Sequence, residues 1–222
     1  GSHFFDVVSF PQTVAVTKGF QAAFRADAGA ITDSSILSPE LQARVVTEIV
    51  EPTLAGARDE GFPFRGILFI GLMLTSDGPQ VLEYNVRFGD PETQAILIRL
   101  EADLFQIFQS IVNGSLSEVE VKWLHEASAC VVLASAGYPG AYEKGQLIKG
   151  LENVEASESL QVFHAGTTKS ETGGFVTAGG RVLGVTATNT TLQMALDDCY
   201  RAVEEISWKG MQYRRDIGRF NL

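Results

Sequence analysis

A chain of 222 residues with 45% apolar side chains has room for one large or two modest domains and enough apolar surface for real cores. Its net charge of −10 argues against nonspecific nucleic-acid binding, which needs a basic face, so any phosphate contacts must be local. The two cysteines, Cys130 and Cys199, make neither a disulfide framework nor a metal spacing, as expected of a core in a reducing cytoplasm, and no apolar stretch reaches membrane-spanning length.

Gly1-Ser2-His3 reads as a cloning remnant. Two apolar runs follow, Phe4 to Phe10 and Val14 to Phe24, interrupted by Pro11 and Gly19, and either suits a strand or a helix. From Thr32 the signals sharpen. Ser38 is an expected N-cap with Pro39 at the first helical position, and Leu41, Val45, Val46 and Ile49 form a stripe that continues to about Ala57. Pro52 inside that pattern predicts a kink or break. Ile67 to Leu74 reads as a buried strand, Thr75 to Gly78 as a turn and Val81 to Val86 as the second arm of an antiparallel hairpin. After Pro91 the spacing predicts one helix, with Glu92 in its first turn and Ile96, Leu100, Leu104, Phe108 and Ile111 on its inner stripe, stopped by Asn113-Gly114.

Residues 115 to 125 read as a boundary. Beyond them come short strands separated by turns: Ser128 to Ser135, Gly145 to Ile148, Leu160 to His164, Gly174 to Ala178 and Arg181 to Thr188, with a loop at Gly137 to Gly140. Such a run suggests a small barrel or sandwich. An amphipathic helix from about Thr191 to Ile206, capped by Thr190 or Asn189, closes the unit ahead of a basic tail at Tyr213 to Gly218. The fold class is α+β. His3, His125 and His164 are far apart and no Ser/His/Asp order emerges, so His164 reads as a satisfied core or surface histidine.

The stretch with most chemistry is VLEYNVRFGDPE, residues 81 to 92. Strand alternation points Val81, Glu83 and Asn85 to one face and Leu82, Tyr84 and Val86 to the other. A carboxylate and an amide oxygen side by side suit Mg²⁺, which takes a few protein oxygens and leaves its other positions to water and phosphates. The same face is at home in solvent on an edge strand, since an alternating strand needs no ligand. Asp90 and Glu92 also have a structural use, as cap and dipole partners of the following helix.

GILFIGLMLTSDGPQVLEYNVRFGDPETQAIL resembles the closing part of the ATP-grasp domain of the phosphoribosylamine-glycine ligase (glycinamide ribonucleotide synthetase) family. CVVLASAGYPGAYEKGQLIKGL, VFHAGT, TAGGRVLGVTA and MQYRRDIG resemble that family's C-terminal domain, in the same order. The resemblance divides the chain into an unassigned segment with the tag remnant (1–28), a partial ATP-grasp domain (29–122) and a C-terminal β-rich domain (123–222). It implies a cytoplasmic enzyme of purine biosynthesis that joins glycine to 5-phosphoribosylamine through a glycyl phosphate intermediate, converting ATP to ADP and phosphate. In that frame Glu83 and Asn85 match the family's Mg²⁺ or Mn²⁺ ligands. Arg87 is the candidate catalytic guanidinium for the transferring phosphoryl group, on the Glu83 face if the strand persists that far. Asp90 and Glu92 are candidates for the glycine ammonium, and Arg181, in the Gly179-Gly180-Arg181 turn, for a substrate phosphate or carboxylate, although those glycines have a conformational use too.

Four departures bear on the expectation. No glycine-rich N-terminal domain, nucleotide-binding lysine or flexible phosphate loop is recognisable, and residues 4 to 28 do not match the segment expected before Ala30. The chain is therefore expected to be incomplete, inactive alone, and partnered by the missing N-terminal part of the same enzyme, with no nucleic acid or membrane among its partners. The competing readings are another ATP-grasp ligase or carboxylase, and a catalytically inactive binding module derived from one.

Overall fold

The computed structural model describes residues 3–9, 21–26, 29–33, 37–171 and 173–218, with side chains from residue 29 onward. In chain order the elements are β1 (His3–Ser9), β2 (Gln21–Ala26), β3 (Gly29–Thr32), α1 (Pro39–Val45), a π turn (Val46–Val50), α2 (Glu51–Asp59), β4 (Leu68–Thr75) and β5 (Gly78–Asn85). There follow α3 (Glu92–Leu97), α4 (Leu104–Asn113), β6 (Ala127–Ala134), β7 (Leu147–Ile148), β8 (Leu160–His164), β9 (Thr167–Lys169), β10 (Phe175–Thr177), β11 (Arg181–Asn189) and α5 (Leu192–Glu205). The first ambiguous apolar run is thus a strand. The second lies largely outside the described residues, and its last four residues open β2. No helix among the described residues is long and apolar enough to cross a membrane.

The chain forms two compact units that interleave in sequence: residues 1–24, 33–89 and 99–125 in the first, and 25–32, 90–98 and 126–222 in the second. In the first unit β5, β4, β1 and β2 pair antiparallel in that order. The expected 75–78 turn joins β4 to β5, closed by Thr75 Oγ1, which donates to the Gly78 carbonyl at 3.0 Å and accepts from the Asp77 amide at 3.2 Å. The Ser38 hydroxyl caps α1, accepting from the Leu41 amide at 3.2 Å. Pro52 does not break the helix: Pro39 to Asp59 runs on without interruption, and the irregularity is the π turn just before the proline. A proline has no N–H for the carbonyl four residues back, and a widened turn absorbs the missing bond. Thr53 Oγ1 and the Tyr84 hydroxyl, 2.9 Å apart, tie α2 to β5.

The single helix expected after Pro91 is two. α3 ends at Leu97, and Asp103 starts α4 by accepting from the amides of Phe105 (2.8 Å) and Gln106 (3.2 Å). An Asp cap satisfies amides that a continuous helix would have paired internally, so it favours a fresh start. The phase of the apolar stripe resets with it: Ile107 and Ile111 are buried with Leu116, packed by Ile67, Phe88, Leu100 and Trp123, while Phe108 stays 38% exposed. Gly114, left-handed at φ 77°, ends α4 where the sequence places the stop.

In the second unit β3, β6, β11 and β8 pair antiparallel in that order. Every residue of β6 is buried, because helices cover both of its faces. α3 lies over the Ser128, Cys130 and Val132 side, where Ala95 joins Ala30, Cys130 and Val132 in one cluster and the Ser128 hydroxyl donates to the Ala95 carbonyl at 2.5 Å. α5 packs on β6 and β11 through Ala195, Leu196, Cys199, Ala202 and Val203. Its cap is Thr191, one residue beyond the expected pair. The Asn189 amide is instead spent on Asp198, 2.8 Å away. A second sheet, β7, β10 and β9, lies in the same unit, and both sheets are open among the described residues, so the unit is not a closed barrel. β3 and β9, at four and three residues, were too short to foresee. Both cysteines are free and buried, and burial pushes their thiols upward, Cys130 to about 12.

Candidate functional site

In the first unit the register of the β4–β5 hairpin decides which side chains share a face. Leu72 pairs with Val81 and Gly71 with Glu83, so Leu82 is an extra residue and forms a bulge. Directly paired residues share a face, and the bulge therefore separates Val81 from Glu83, contrary to simple alternation. Glu83 and Asn85, opposite Gly71 and Phe69, remain together, and Tyr84, opposite Ile70, lies on the other side with Thr53. Gly71 has no side chain to crowd Glu83.

Among the described residues neither the Glu83 nor the Asn85 side chain has a hydrogen-bond or ion-pair partner, and no cluster of three or more His, Cys, Asp and Glu side chains is placed to hold a metal. Two uncommitted hard oxygen donors on one strand face fit a cation that keeps most of its positions for water and phosphate, and do not fit a closed all-protein cage. β5 ends at Asn85, so the alternation expected to carry Arg87 onto the Glu83 face stops short of it. The Arg87 guanidinium turns onto the Phe88 carbonyl at 3.1 Å.

Asp90, Glu92 and Arg181 belong to the second unit. α3 begins after Pro91 with no side-chain cap, so Asp90 does not cap it. Its carboxylate instead accepts from Gln94 Nε2 at 3.2 Å on Oδ1 and pairs with Arg181 at 3.3 Å on Oδ2, while its carbonyl accepts from Arg181 at 2.7 Å. Glu92 is in the first helical turn and only 1% exposed. Gln94 was missed by sequence reasoning. Its four-residue separation from Asp90 is a shared face only inside a helix, and Asp90 precedes α3, so no local pattern pointed to it.

A second bulge delivers Arg181. Arg181 pairs with Ala134 and Leu183 with Leu133, leaving Val182 extra. Unbroken alternation would set Arg181 on the side of Leu183 and Val185. The bulge moves it to the side of Ala134, Val132 and Cys130, where α3 lies. The turn before it is tightly held. The Ser135 amide donates to the Gly180 carbonyl at 2.8 Å, the Ser135 hydroxyl to the Gly179 carbonyl at 2.9 Å, and the Gly166 amide to the Arg181 carbonyl at 2.9 Å. A Cβ on Gly166 would stand 2.6 Å from the Gly179 Cα, and one on Gly180 would enter the Tyr138 ring. The conformational use of these glycines is therefore real. His164 bonds Thr167 at 2.9 Å and packs at a tilt against the Phe175 ring, a satisfied surface histidine.

Comparison with known proteins places this geometry in a family. A family model described as "Phosphoribosylglycinamide synthetase, ATP-grasp (A) domain" matches residues 15–93, and one described as "Phosphoribosylglycinamide synthetase, C domain" matches residues 128–220. The first match reaches into the 4–28 stretch in which the sequence alone offered no likeness. The phosphoribosylamine-glycine ligase of Rhizobium meliloti (strain 1021) is 47% identical over 190 residues, 86% of this chain and 44% of that protein. The chloroplastic ligase of Arabidopsis thaliana is 45% identical over 193 residues, 86% of this chain and 36% of that protein. The chain thus spans less than half the length of these curated relatives. The crystal structure of the Thermotoga maritima phosphoribosylamine-glycine ligase superposes with a TM-score of 0.72 at 28% identity, over 97% of this chain and 55% of that one. The biotin carboxylase domain of Hydrogenobacter thermophilus 2-oxoglutarate carboxylase, solved with MgADP, shares the fold at a TM-score of 0.65 and 14% identity over 97% of this chain and 50% of that one.

Proposed function

Because this chain belongs to the phosphoribosylglycinamide synthetase family, as its ATP-grasp and C domains, we propose that it works in the ATP-dependent joining of glycine to 5-phosphoribosylamine. The observation that carries this reading is the pairing of Glu83 with Asn85 on one face of β5, both without protein partners. We take 29–122 as the ATP-grasp part and 123–222 as the C-terminal domain, in a cytoplasmic enzyme whose remaining length supplies the other nucleotide contacts.

In the reaction the glycine carboxylate attacks the γ-phosphorus of ATP, releasing ADP and forming an acyl phosphate, and the phosphoribosylamine nitrogen then displaces phosphate. Glu83 and Asn85 would hold Mg²⁺, with Mn²⁺ as the alternative; when bound, the metal neutralises phosphate charge and orients the in-line transfer. Arg87, exposed and bonded only to a carbonyl, is free to exchange that bond for a phosphoryl oxygen. Asp90, Glu92 and Arg181 form the substrate group of the second unit. Of the two carboxylates, Asp90 is the one open to a glycine ammonium, since its side chain is 47% exposed and Glu92 is buried. Two of the roughly four acceptor positions of the Asp90 carboxylate remain for that ammonium. The second sequence reading, a carboxylase of the same fold, is supported less well, by likenesses at 14% identity against 28% for the ligase structure.

The test is Mn²⁺ titrated into the chain with and without ATP, read by water-proton relaxation. Glu83→Gln and Asn85→Ala should each weaken binding by at least about tenfold, the low end of the loss caused by removing even a hydrogen-bond partner of a metal ligand. Binding unaffected by either change would sink the metal assignment. At the relatives' full length, ADP release that is independent of glycine would sink the substrate assignment.

A further inference from the structure

The Asp90 carboxylate is held from two sides by groups that reach it from different elements. Gln94 comes from α3, one turn on, and Arg181 from the start of β11, across 91 residues of sequence. Arg181 is committed twice, with one guanidinium nitrogen on the Asp90 carbonyl and the other on its carboxylate. That two-point grip fixes the backbone and the side chain of the same residue, which a single phosphate contact would not require. Gln94 shows the same commitment at a cost. Its Nε2 must face Asp90, because a carboxylate needs a donor, and this leaves Oε1 buried with no hydrogen-bond partner among the described residues.

We propose that Arg181 and Gln94 are positioning residues that aim the Asp90 carboxylate at the amino group of the amino-acid substrate, and that Arg181 acts through Asp90 instead of binding a substrate phosphate. This rests on the reading of Asp90 as substrate-facing. The buried, unpaired amide oxygen of Gln94 is then the stability given up for a fixed carboxylate, and the bulge at Val182 with its glycine turn is the device that brings Arg181 to it.

The experiment uses the protein at its relatives' full length and measures kcat and the KM values for glycine and phosphoribosylamine in Asp90→Asn, Arg181→Ala, Gln94→Met and the Asp90→Asn/Arg181→Ala double variant, with thermal melts alongside. The glycine KM should rise about tenfold or more in Asp90→Asn and Arg181→Ala, the phosphoribosylamine KM should not move, and the double variant should be no worse than Asp90→Asn alone. Arg181→Lys should recover only part of the loss, because it keeps the charge and loses the fork. Gln94→Met separates aim from folding. It removes the unpaired acceptor, so the melt should stay level or rise while the glycine KM worsens. Additive losses in the double variant, or an Arg181→Ala effect confined to phosphoribosylamine, overturn the proposal and leave Asp90 in place. An unchanged glycine KM in Asp90→Asn overturns the underlying reading and the proposal with it.

Discussion

Gly180→Ala tests whether the turn before β11 is as tightly specified as its contacts indicate. The new Cβ would sit 2.8 Å from the Tyr138 Cε2, closer still to its Cδ2, and 3.0 Å from the Tyr142 Cε1. Tyr138 cannot step aside easily. Its amide donates to the Ser135 carbonyl at 3.2 Å, its carbonyl accepts from Gln212 at 3.0 Å, and its ring lies 6.4 Å from that of Tyr142. One methyl forced into such a site costs about 1–3 kcal/mol. For a protein of this length that lowers the melting temperature by about 2–12 °C, at roughly 2–4 °C per kcal/mol. Urea and thermal unfolding of Gly180→Ala should show this loss. In a Tyr138→Ala background the same substitution should cost about 1 kcal/mol or less, because the main obstacle has gone. An equal penalty with and without the Tyr138 ring would refute the steric account and point to backbone propensity instead.

Two further outcomes follow from burial and capping. With its thiol raised from 9.0 to about 12 by burial, Cys130 contributes stability that is full below pH ~9 and lost as pH rises toward 12, on the order of 4 kcal/mol at the far end; Cys130→Ala should flatten the alkaline limb of stability against pH, and an identical limb would refute the assignment. Asp103→Ala should destabilise the first unit by about 1 kcal/mol in a urea melt, whereas a neutral result would mean that α4 starts without its cap.

Much of the fold was legible because local chemistry and tertiary packing agree. Ser38-Pro39, the 75–78 turn, Gly114, the uninterrupted apolar run of β6 and the stripe of α5 each have one cheap local solution, and the fold adopts it. The break between α3 and α4 was not legible. Leu100 and Leu104 continue a helical spacing through it, and Asp103 reads as an ordinary surface residue until its capping bonds are seen. The pairing of Asp90 with Arg181 is a contact across 91 residues, on which no local pattern bears.

The two bulges explain why the candidate site was read only in part. Alternation is a reliable guide to faces as long as the ladder is regular, and both strands that carry site residues break it, at Leu82 in β5 and at Val182 in β11. In β5 the break falls before Glu83, so the Glu83–Asn85 relation survives and only Val81 is misplaced. In β11 the break falls after Arg181, between it and the regular strand, and alternation assigns Arg181 to the wrong side of the sheet. An extra residue costs ladder hydrogen bonds, and such irregularities are enriched where a side chain must be re-aimed. At Arg181 the compensation is visible: three bonds from Ser135 and Gly166 hold the turn, and the re-aimed guanidinium recovers two more on Asp90. No equivalent compensation is seen for Glu83 among the described residues, and its exposed carboxylate stays uncommitted beside Asn85, which is the feature that the proposed Mn²⁺ titration tests.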